Sequence, residues 1–173
     1  DHLGKRVMPE FVQIAERPHI PCGLGSAAFD SDGVATRDRD IVTDGILQGY
    51  FLSAYTARKL GMQTTANAGG SHNLIIQPGR YDLDGLLAQM GRGLLVTELL
   101  GHGINYVTGD YSRGAAGYWV ENGKIVHPVE EITIAGNLKT MLAGIVAVGN
   151  DVQIRGTKQT GSILVDRMTV AGE

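Results

Sequence analysis

Short apolar runs separated by glycine, asparagine and aspartate dominate the chain, and this pattern is typical of β-strands. The runs are rich in Val, Ile, Leu, Tyr and Thr, which pack well on a pleated surface. They predict the strands Phe11–Glu16, Asp40–Asp44, Ile46–Leu52, Leu94–Leu100, Ala115–Glu121, Lys124–Val126, Ile132–Ala135, Val152–Arg155 and Ser162–Val170.

Two dipeptides predict hairpin turns between neighbouring strands. Glu121-Asn122-Gly123-Lys124 is the clearer signal, because an Asn-Gly pair tolerates the positive φ that a type I′ turn demands. Asp44-Gly45 is a second and weaker signal of the same kind. Tight turns of this type join antiparallel strands, so we expect an antiparallel sheet.

Three segments have helical spacing instead. Ser53–Leu60 begins at a residue that caps helices and is followed by Gly61. Asp82–Met90 has an acidic start and an apolar face, and Asn137–Val146 has apolar side chains at positions i, i+3, i+4 and i+7 after an Asn cap. The sequence therefore predicts an α+β fold that is mostly antiparallel β with a few short helices.

Composition indicates one globular domain, and charge argues against one class of function. A chain of 173 residues with 43% hydrophobic and 19% charged residues is typical of one globular domain, so we expect residues 1–173 to form a single domain. The 25 glycines fit a fold rich in turns and bulges. The net charge is −3 and there is no run of Lys or Arg, which argues against direct nucleic-acid binding.

Cysteine content and hydropathy indicate a cytoplasmic protein. The single cysteine, Cys22, excludes an internal disulfide and suits a reducing compartment. No signal peptide is recognisable, and no apolar run approaches the roughly 20 residues of a membrane helix. The chain begins at Asp1 rather than Met, so we expect it to be the C-terminal part of a longer polypeptide.

The first candidate for chemistry is the polar stretch Asp110-Tyr111-Ser112-Arg113. Arg113 offers a bidentate donor, Asp110 an acceptor, and the two residues between them hydroxyl groups. Either an Asp–Arg pair holds a loop in place, or the loop contacts a peptide or a partner. The Gly114-Ala115-Ala116-Gly117 patch that follows would allow close backbone approach, as when an extended peptide adds to a sheet edge.

Glu98 and His102 form the second candidate. They lie four positions apart, but Leu94–Leu100 is predicted to be a strand that runs into a glycine turn, so they do not share a helical face. One interpretation is a polar pair at a strand end. The other is a functional lining position, because a glutamate inside an apolar strand is costly without a partner.

No catalytic set is visible in the sequence. The His-Glu-x-x-His zinc motif is absent, and His127-Pro128-Val129-Glu130-Glu131 supplies only half of its inverted form. Asp30-Ser31-Asp32-Gly33 departs from a calcium loop and is predicted to be a tight turn, and Gly91-Arg92-Gly93 is too short for a phosphate loop. We therefore predict no catalytic residue and no metal ligand in this chain.

Motifs along nearly the whole chain resemble the C-terminal domain of the PmbA branch (TldE-like) of the TldD/PmbA family. That family is associated with a cytoplasmic zinc metalloprotease and with the name "modulator of DNA gyrase". The resemblance rests on Thr108–Gly123, Phe29–Val34, Asp44–Leu47, Ser53–Gly61, Ala68–Asn73, Val96–Leu99, Glu131–Leu138, Gln159–Ser162 and Met168–Gly172.

The resemblance implies a function that the motifs alone do not. In the family, a TldD-like and a PmbA-like chain associate through these domains and enclose a chamber that admits unfolded peptides. The TldD-like chain binds the zinc, through His-Glu-x-x-x-His and a Cys in its C-terminal domain. The region matching that Cys lies near Gln159–Ser162 and has no cysteine here. The resemblance therefore implies a subunit without metal that contributes chamber walls and substrate contacts, with zinc in its partner.

The sequence is compatible with two alternative functions. The chain could be a metal-free interaction protein that modulates DNA gyrase or a toxin–antitoxin system by binding. It could also be an independent hydrolase with a site assembled from Glu98, His102 or Asp110–Arg113. An interface shaped for a similar chain also implies a homodimer when the chain is isolated.

Overall fold

The computed structural model of the protein describes residues 2–172, and its contacts divide the chain into two compact units. Unit 1 comprises the chain up to Pro78 together with Val152–Gly161. Unit 2 comprises Gly79–Asp151 together with the chain from Ser162 onward. The single domain expected for residues 1–173 stays a prediction.

The secondary structure is mostly β, which confirms the predicted fold class. In chain order the elements are β1 Ile14–Glu16, β2 Arg39–Thr43, β3 Ile46–Leu47, α1 Ala54–Lys59, β4 Leu74–Ile76, α2 Leu83–Met90, β5 Gly93–Leu100, β6 Asp110–Glu121, β7 Lys124–Asn137, α3 Leu138–Ala143, β8 Ile145–Val148, β9 Gln153–Arg155, β10 Lys158–Thr160, β11 Ile163–Val165 and β12 Thr169–Ala171. Among residues 2–172, no helix has both the length and the apolar character needed to cross a membrane.

Unit 1 is built on a six-stranded sheet in the order β3-β2-β1-β4-β10-β9. All pairs are antiparallel except β10 with β4. The turn between β2 and β3 is Asp44-Gly45, with φ of 51° and 71°, which confirms the weaker hairpin signal. The core of the unit consists of Val12, Ile14, Ile41, Val42, Leu52, Ala57 and Ala66.

A buried carboxylate organises the loops of unit 1. Glu16 at the end of β1 is 1% exposed and lies opposite Arg39 of β2, whose Nε is 3.1 Å from Glu16 Oε2. Glu16 Oε1 accepts hydrogen bonds from Asn67 Nδ2 at 2.7 Å and from the backbone N–H of His72 at 2.8 Å. A buried charge is tolerated only when it is paired and hydrogen-bonded, and Glu16 meets both conditions.

The turn predicted at Asp30-Ser31-Asp32-Gly33 is confirmed, and the Asp30 carboxylate also connects this turn to a second loop. Asp30 Oδ1 accepts hydrogen bonds from the backbone N–H groups of Asp32 and Val34, and Oδ2 accepts one from Ala68 at 3.0 Å. Burial opposes ionisation of this carboxyl, but the backbone donors outweigh burial and hold the pKa of Asp30 below its ordinary value of 3.8.

Unit 2 is built on a four-stranded antiparallel sheet in the order β12-β7-β6-β5. Its β6–β7 turn is Asn122-Gly123, with φ of 51° and 71°, which confirms the clearer hairpin signal. One face of the sheet carries the core, and α3 packs against it through Leu138 and Met141. The buried members of this core are Tyr111, Ala115, Ile132 and Ile134.

Asp151 joins the two chain segments that form unit 2. Its carboxylate accepts hydrogen bonds from the backbone N–H of Ser162 at 2.9 Å and from the Ser162 hydroxyl at 2.6 Å. Burial raises the pKa of Asp151, but the two bonds from Ser162 outweigh burial and leave the pKa below its ordinary value of 3.8. Close by in the same unit, β8 and β11 form a two-stranded ladder.

Several predicted boundaries are wrong because pairing overrides local propensity. The strand predicted at Ala115–Glu121 begins at Asp110, and Lys124–Val126 and Ile132–Ala135 are parts of the continuous strand β7. The helix predicted to reach Val146 ends at Ala143, since Ile145–Val148 pairs with β11.

The remaining differences concern short strands. Ile46–Leu52 is a strand only at Ile46–Leu47, and Ser162–Val170 is divided into β11 and β12. The sequence reading missed β4 and β10, which are three residues each and pair with one another in parallel.

We predict that Glu16→Gln lowers the free energy of unfolding by about 3 kcal/mol, because it leaves the Arg39 guanidinium buried without its counter-charge. Urea denaturation followed by circular dichroism measures the change. Glu10→Gln, an exposed carboxylate in the same unit, is the matched control and should change stability little. A Glu16→Gln variant as stable as the control would show that the ion pair is not needed.

We also predict an acid-dependent contribution from Asp30. Because its folded pKa lies below 3.8, the ionised carboxylate stabilises the fold above that pH, and this stabilisation is lost as the pH falls through the lowered pKa. The difference in unfolding free energy between the wild type and Asp30→Asn should therefore be larger at pH 7 than near pH 3. Urea titrations at both pH values test this, with the exposed Asp166→Asn as control. An Asp30→Asn difference that stays constant with pH would contradict the prediction.

Candidate functional site

The hairpin of β5 and β6 carries most of the residues that the sequence put forward. Glu98 lies in β5, His102 follows it after the Gly101 turn, and Asp110–Arg113 opens β6. Beyond Leu100, where β5 ends, Ile104 forms one isolated bridge with Tyr111. The two arms of the hairpin therefore pair once more before its tip. The expectation that Asp110–Arg113 forms a loop is therefore wrong, because these residues are strand.

Strand alternation divides the candidates between the two faces of the sheet. Tyr111 belongs to the core cluster, and Arg113 lies two residues further along β6 and so points to the same face. Asp110 and Ser112 take the opposite face. Glu98 also lies on this opposite face, since it is the register partner of Ala116, which alternates with the core residue Ala115.

Asp110 has a structural role that its position in sequence did not reveal. Its carboxylate accepts hydrogen bonds from the Thr108 hydroxyl at 2.6 Å and from Asn137 Nδ2 at 3.1 Å. Asn137 in turn caps α3, because its Oδ1 accepts a bond from the N–H of Lys139. The Thr108 hydroxyl first, and then the Asn137 amide, lower the pKa of Asp110 below its ordinary value of 3.8.

Arg113 does not pair with Asp110. Within residues 2–172 the ion pairs involve only Arg17 and Arg39 as the bases, so the proposed Asp–Arg pair is wrong. Arg113 Nη2 instead donates to the carbonyl of Leu99 at 3.2 Å, and its Nε is buried without a hydrogen-bond partner in the described part of the chain. The side chain thus braces the end of β5 from the core face.

Glu98, His102 and Ser112 are exposed side chains. Because the Glu98 carboxylate is exposed to solvent, it needs no buried partner. The energetic cost that favoured a functional role for Glu98 therefore does not apply. Within the described residues Glu98 and His102 are not hydrogen-bonded to one another. The candidates therefore do not form one cluster, and their contact roles stay predictions.

The Gly114–Gly117 patch lies in the middle of the sheet rather than at its edge. Gly114, Ala115 and Gly117 each have a register partner in β5 and another in β7. A Cβ atom at Gly117 would lie 1.9 Å from the carbonyl oxygen of Leu95. The close approach that this glycine permits is thus made by β5 of the same chain, and an extended peptide cannot add to β6 here.

The described residues do not fit a metal centre. No group of three or more His, Cys, Asp or Glu side chains comes together within residues 2–172. Zinc sites in proteins need three or four such ligands, so we derive no step through a metal in this chain.

The sequence reading missed a groove in unit 2 that contains the only tryptophan of the chain. Arg92 lies over the Trp119 ring, with its guanidinium carbon 5.4 Å from the ring centroid. These residues are 27 positions apart, and β5–β6 pairing brings them together, since Leu94 is the register partner of Trp119. No sequence pattern predicts this contact beyond an arginine between two glycines.

Comparison with known proteins identifies the family. Residues 1–172 match the model described as the PmbA/TldA metallopeptidase C-terminal domain. The chain is 55% identical over 173 residues to the metalloprotease PmbA homolog of Haemophilus influenzae and 53% identical over 173 residues to metalloprotease PmbA of Escherichia coli O157:H7. The chain belongs to the PmbA/TldD family.

The family match covers nearly all of this chain but a minority of each relative. The aligned residues are 99% and 100% of this chain and 38% of each of these two relatives. The activity, substrates and partners of the whole protein are therefore matters for proposal.

Solved structures of the family agree with the fold. A putative modulator of DNA gyrase from Thermotoga maritima superposes with a TM-score of 0.88 at 41% identity, over 98% of this chain and 41% of that one. One from Bacteroides thetaiotaomicron gives 0.91 at 34% identity, over 100% and 39%. TldE from Thermococcus kodakarensis gives 0.84 at 24% identity, over 99% and 42%, and supports the fold alone.

We predict that Gly117→Ala destabilises the PmbA/TldD-type sheet by about 2 kcal/mol, because the new methyl group would overlap the backbone of β5. Gly114→Ala is the matched control, since its Cβ would have Leu100 Cβ at 3.3 Å as nearest neighbour and no backbone atom closer than 3.9 Å. Both substitutions reduce unfolded-state entropy equally, so the difference isolates the contact. Urea denaturation measures it, and equal midpoints for the two variants would contradict the assignment.

Proposed function

We propose that this chain is the C-terminal part of a PmbA-like subunit of a cytoplasmic metalloprotease, and that it supplies chamber walls and substrate contacts rather than the catalytic metal. The observation that carries the proposal is the identity of 53–55%, over the whole chain, to proteins named metalloprotease PmbA. The fit of the described residues to zinc is poor, so the proposal assigns zinc to a TldD-like partner.

Unfolded proteins or precursor peptides are the proposed substrates. An extended peptide can add to a free sheet edge through main-chain hydrogen bonds, with little demand on its sequence. The edge proposed in unit 2 is the outer side of β5, which is one of the two end strands of its sheet and, among residues 2–172, pairs only with β6. The contact role predicted for the Gly114–Gly117 backbone is thus reassigned to this edge.

The C-terminal half of β5, which contains Glu98, Leu99 and Leu100, has the exposed apolar surface expected of a strand that pairs with a peptide. Leu99 and Leu100 are 40% and 50% exposed, and Glu98 is the only charged side chain of the strand. A long apolar edge without several charges is prone to pair with another strand. In the proposal, the charge of Glu98 limits pairing of this edge with other strands. His102 and Ser112 lie beside the same segment of the hairpin.

The alternative is a metal-free protein that modulates DNA gyrase or a toxin–antitoxin system by binding. Its support is the name of the two solved structures at 41% and 34% identity, both called putative modulators of DNA gyrase. An independent hydrolase is less well supported, because Asp110 and Arg113 lie on opposite faces of the sheet and are not paired.

The test is cleavage of an unfolded reporter protein by a full-length protein carrying this chain, alone and with a TldD-like partner, with and without a metal chelator. We expect turnover only when both proteins are present, and loss of turnover with the chelator. A partner inactivated in its own metal motif is the matched control for contaminating protease.

The other outcomes separate the competing functions. Turnover by this protein alone that is lost in Glu98→Gln or Arg113→Ala would overturn the proposal in favour of the independent hydrolase. Stable binding of the partner without turnover of any reporter would favour the binding protein.

A further inference from the structure

Unit 2 contains an apolar groove that the function described so far does not use. It has a volume of about 420 Å³, within the range of small-ligand sites. Its apolar walls come from the end of α2, from β5, from β7 and from the segment that includes β11 and β12, with Met90, Leu94, Val96, Ile134, Leu164 and Met168 among them. A smaller recess of about 160 Å³ adjoins it and shares Met90, Leu94 and Val96.

Two arginines lie at this groove. Arg92 and Arg167 both line it and both are exposed. Within residues 2–172 neither guanidinium makes an ion pair, since the ion pairs there involve only Arg17 and Arg39 as the bases. Asp166 is the one acidic residue that lines the groove, so the lining carries two cationic side chains and one carboxylate.

Trp119 forms the aromatic part of the wall beside Arg92. Its indole N–H donates to Glu121 Oε1 at 3.0 Å, so the acceptor of this hydrogen bond lies outside the groove residues. With its polar atom already bonded, the ring offers the groove an apolar surface and holds Arg92 by a cation–π contact. Stacking on a ring face leaves the edge N–H groups of a guanidinium able to donate to a ligand.

We propose that this groove binds the C-terminal end of a peptide, with an apolar side chain inside the groove and the terminal carboxylate on Arg92 and Arg167. Planar guanidinium groups bind carboxylates through paired, charge-assisted hydrogen bonds, which is the chemistry that two arginines without counter-ions provide. The apolar walls account for the side chain and the two cations for the charge. That the ligand is a peptide rests on the proposed protease function.

The experiment uses the full-length protein that carries this chain, and the fluorescence of Trp119 is obtained as the difference from a Trp119→Phe variant. The probe is the tripeptide acetyl-Ala-Leu-Leu with a free carboxylate, compared with the same peptide as its C-terminal amide. We expect the free acid to shift or quench Trp119 fluorescence and to bind about tenfold more tightly than the amide. Titration calorimetry gives the affinity independently of the fluorescence.

Substitution of each arginine tests whether it binds the terminal carboxylate of the peptide. Arg92→Gln and Arg167→Gln should each weaken binding of the free acid roughly tenfold and leave the amide nearly unchanged, since only the acid loses a charge-assisted bond. Arg80→Gln is the matched control, because Arg80 is an exposed arginine of unit 2 that also stacks on an aromatic ring, Tyr81 at 4.6 Å, outside the groove. Circular dichroism confirms that each variant is folded.

Several results would overturn the inference. Equal affinity for acid and amide, or equal losses in Arg80→Gln and Arg92→Gln, would remove the charge recognition. No response at millimolar peptide would indicate that another part of the protein covers the groove. Binding of dodecanoate but not of the peptide would indicate a lipid-type ligand instead. Because this assay needs no partner and no turnover, it can succeed when the protease test fails, and the reverse.

Discussion

Pairing of β6 on both sides is the constraint on which unit 2 depends. From Gly114 to Val120 this strand lies between β5 and β7, so its backbone groups there are used within the sheet. The strand can lie this close to its neighbour because Gly117 presents no Cβ to the Leu95 carbonyl. Everything available to a ligand in this region must therefore come from side chains, from the outer edge of β5, or from the groove beside Trp119.

Pairing with β7 also explains why the polar sequence Asp110–Arg113 is not an active-site loop. A strand sends successive side chains to opposite faces, so four consecutive polar residues cannot converge on one reacting atom. Tyr111 enters the core, Asp110 joins the hairpin to the cap of α3, and Arg113 braces Leu99. Three of these four residues thus stabilise the framework that presents the β5 edge.

Unit 1 is organised by a different interaction, the buried Glu16 carboxylate. It joins β1, β2 and the loop from Asn67 to His72 through one ion pair and two hydrogen bonds. Asp30 joins its own turn to the same loop, at Ala68, through backbone donors only. Loops held by buried carboxylates need little apolar surface, which fits a unit with many glycine turns and few large core residues.

The sequence by itself determined the local features: the caps at Ser53, Asp82 and Asn137, the hairpin turns at Asp44-Gly45 and Asn122-Gly123, and the mostly β fold class. These follow from the conformations that single residues and short spacings permit. Its motifs also carried the family resemblance. The tertiary structure alone decided which strands pair, that Gly114–Gly117 is central, and that Arg92 and Arg167 meet at one groove. Such contacts join residues far apart in the chain, and local propensity carries no information about them.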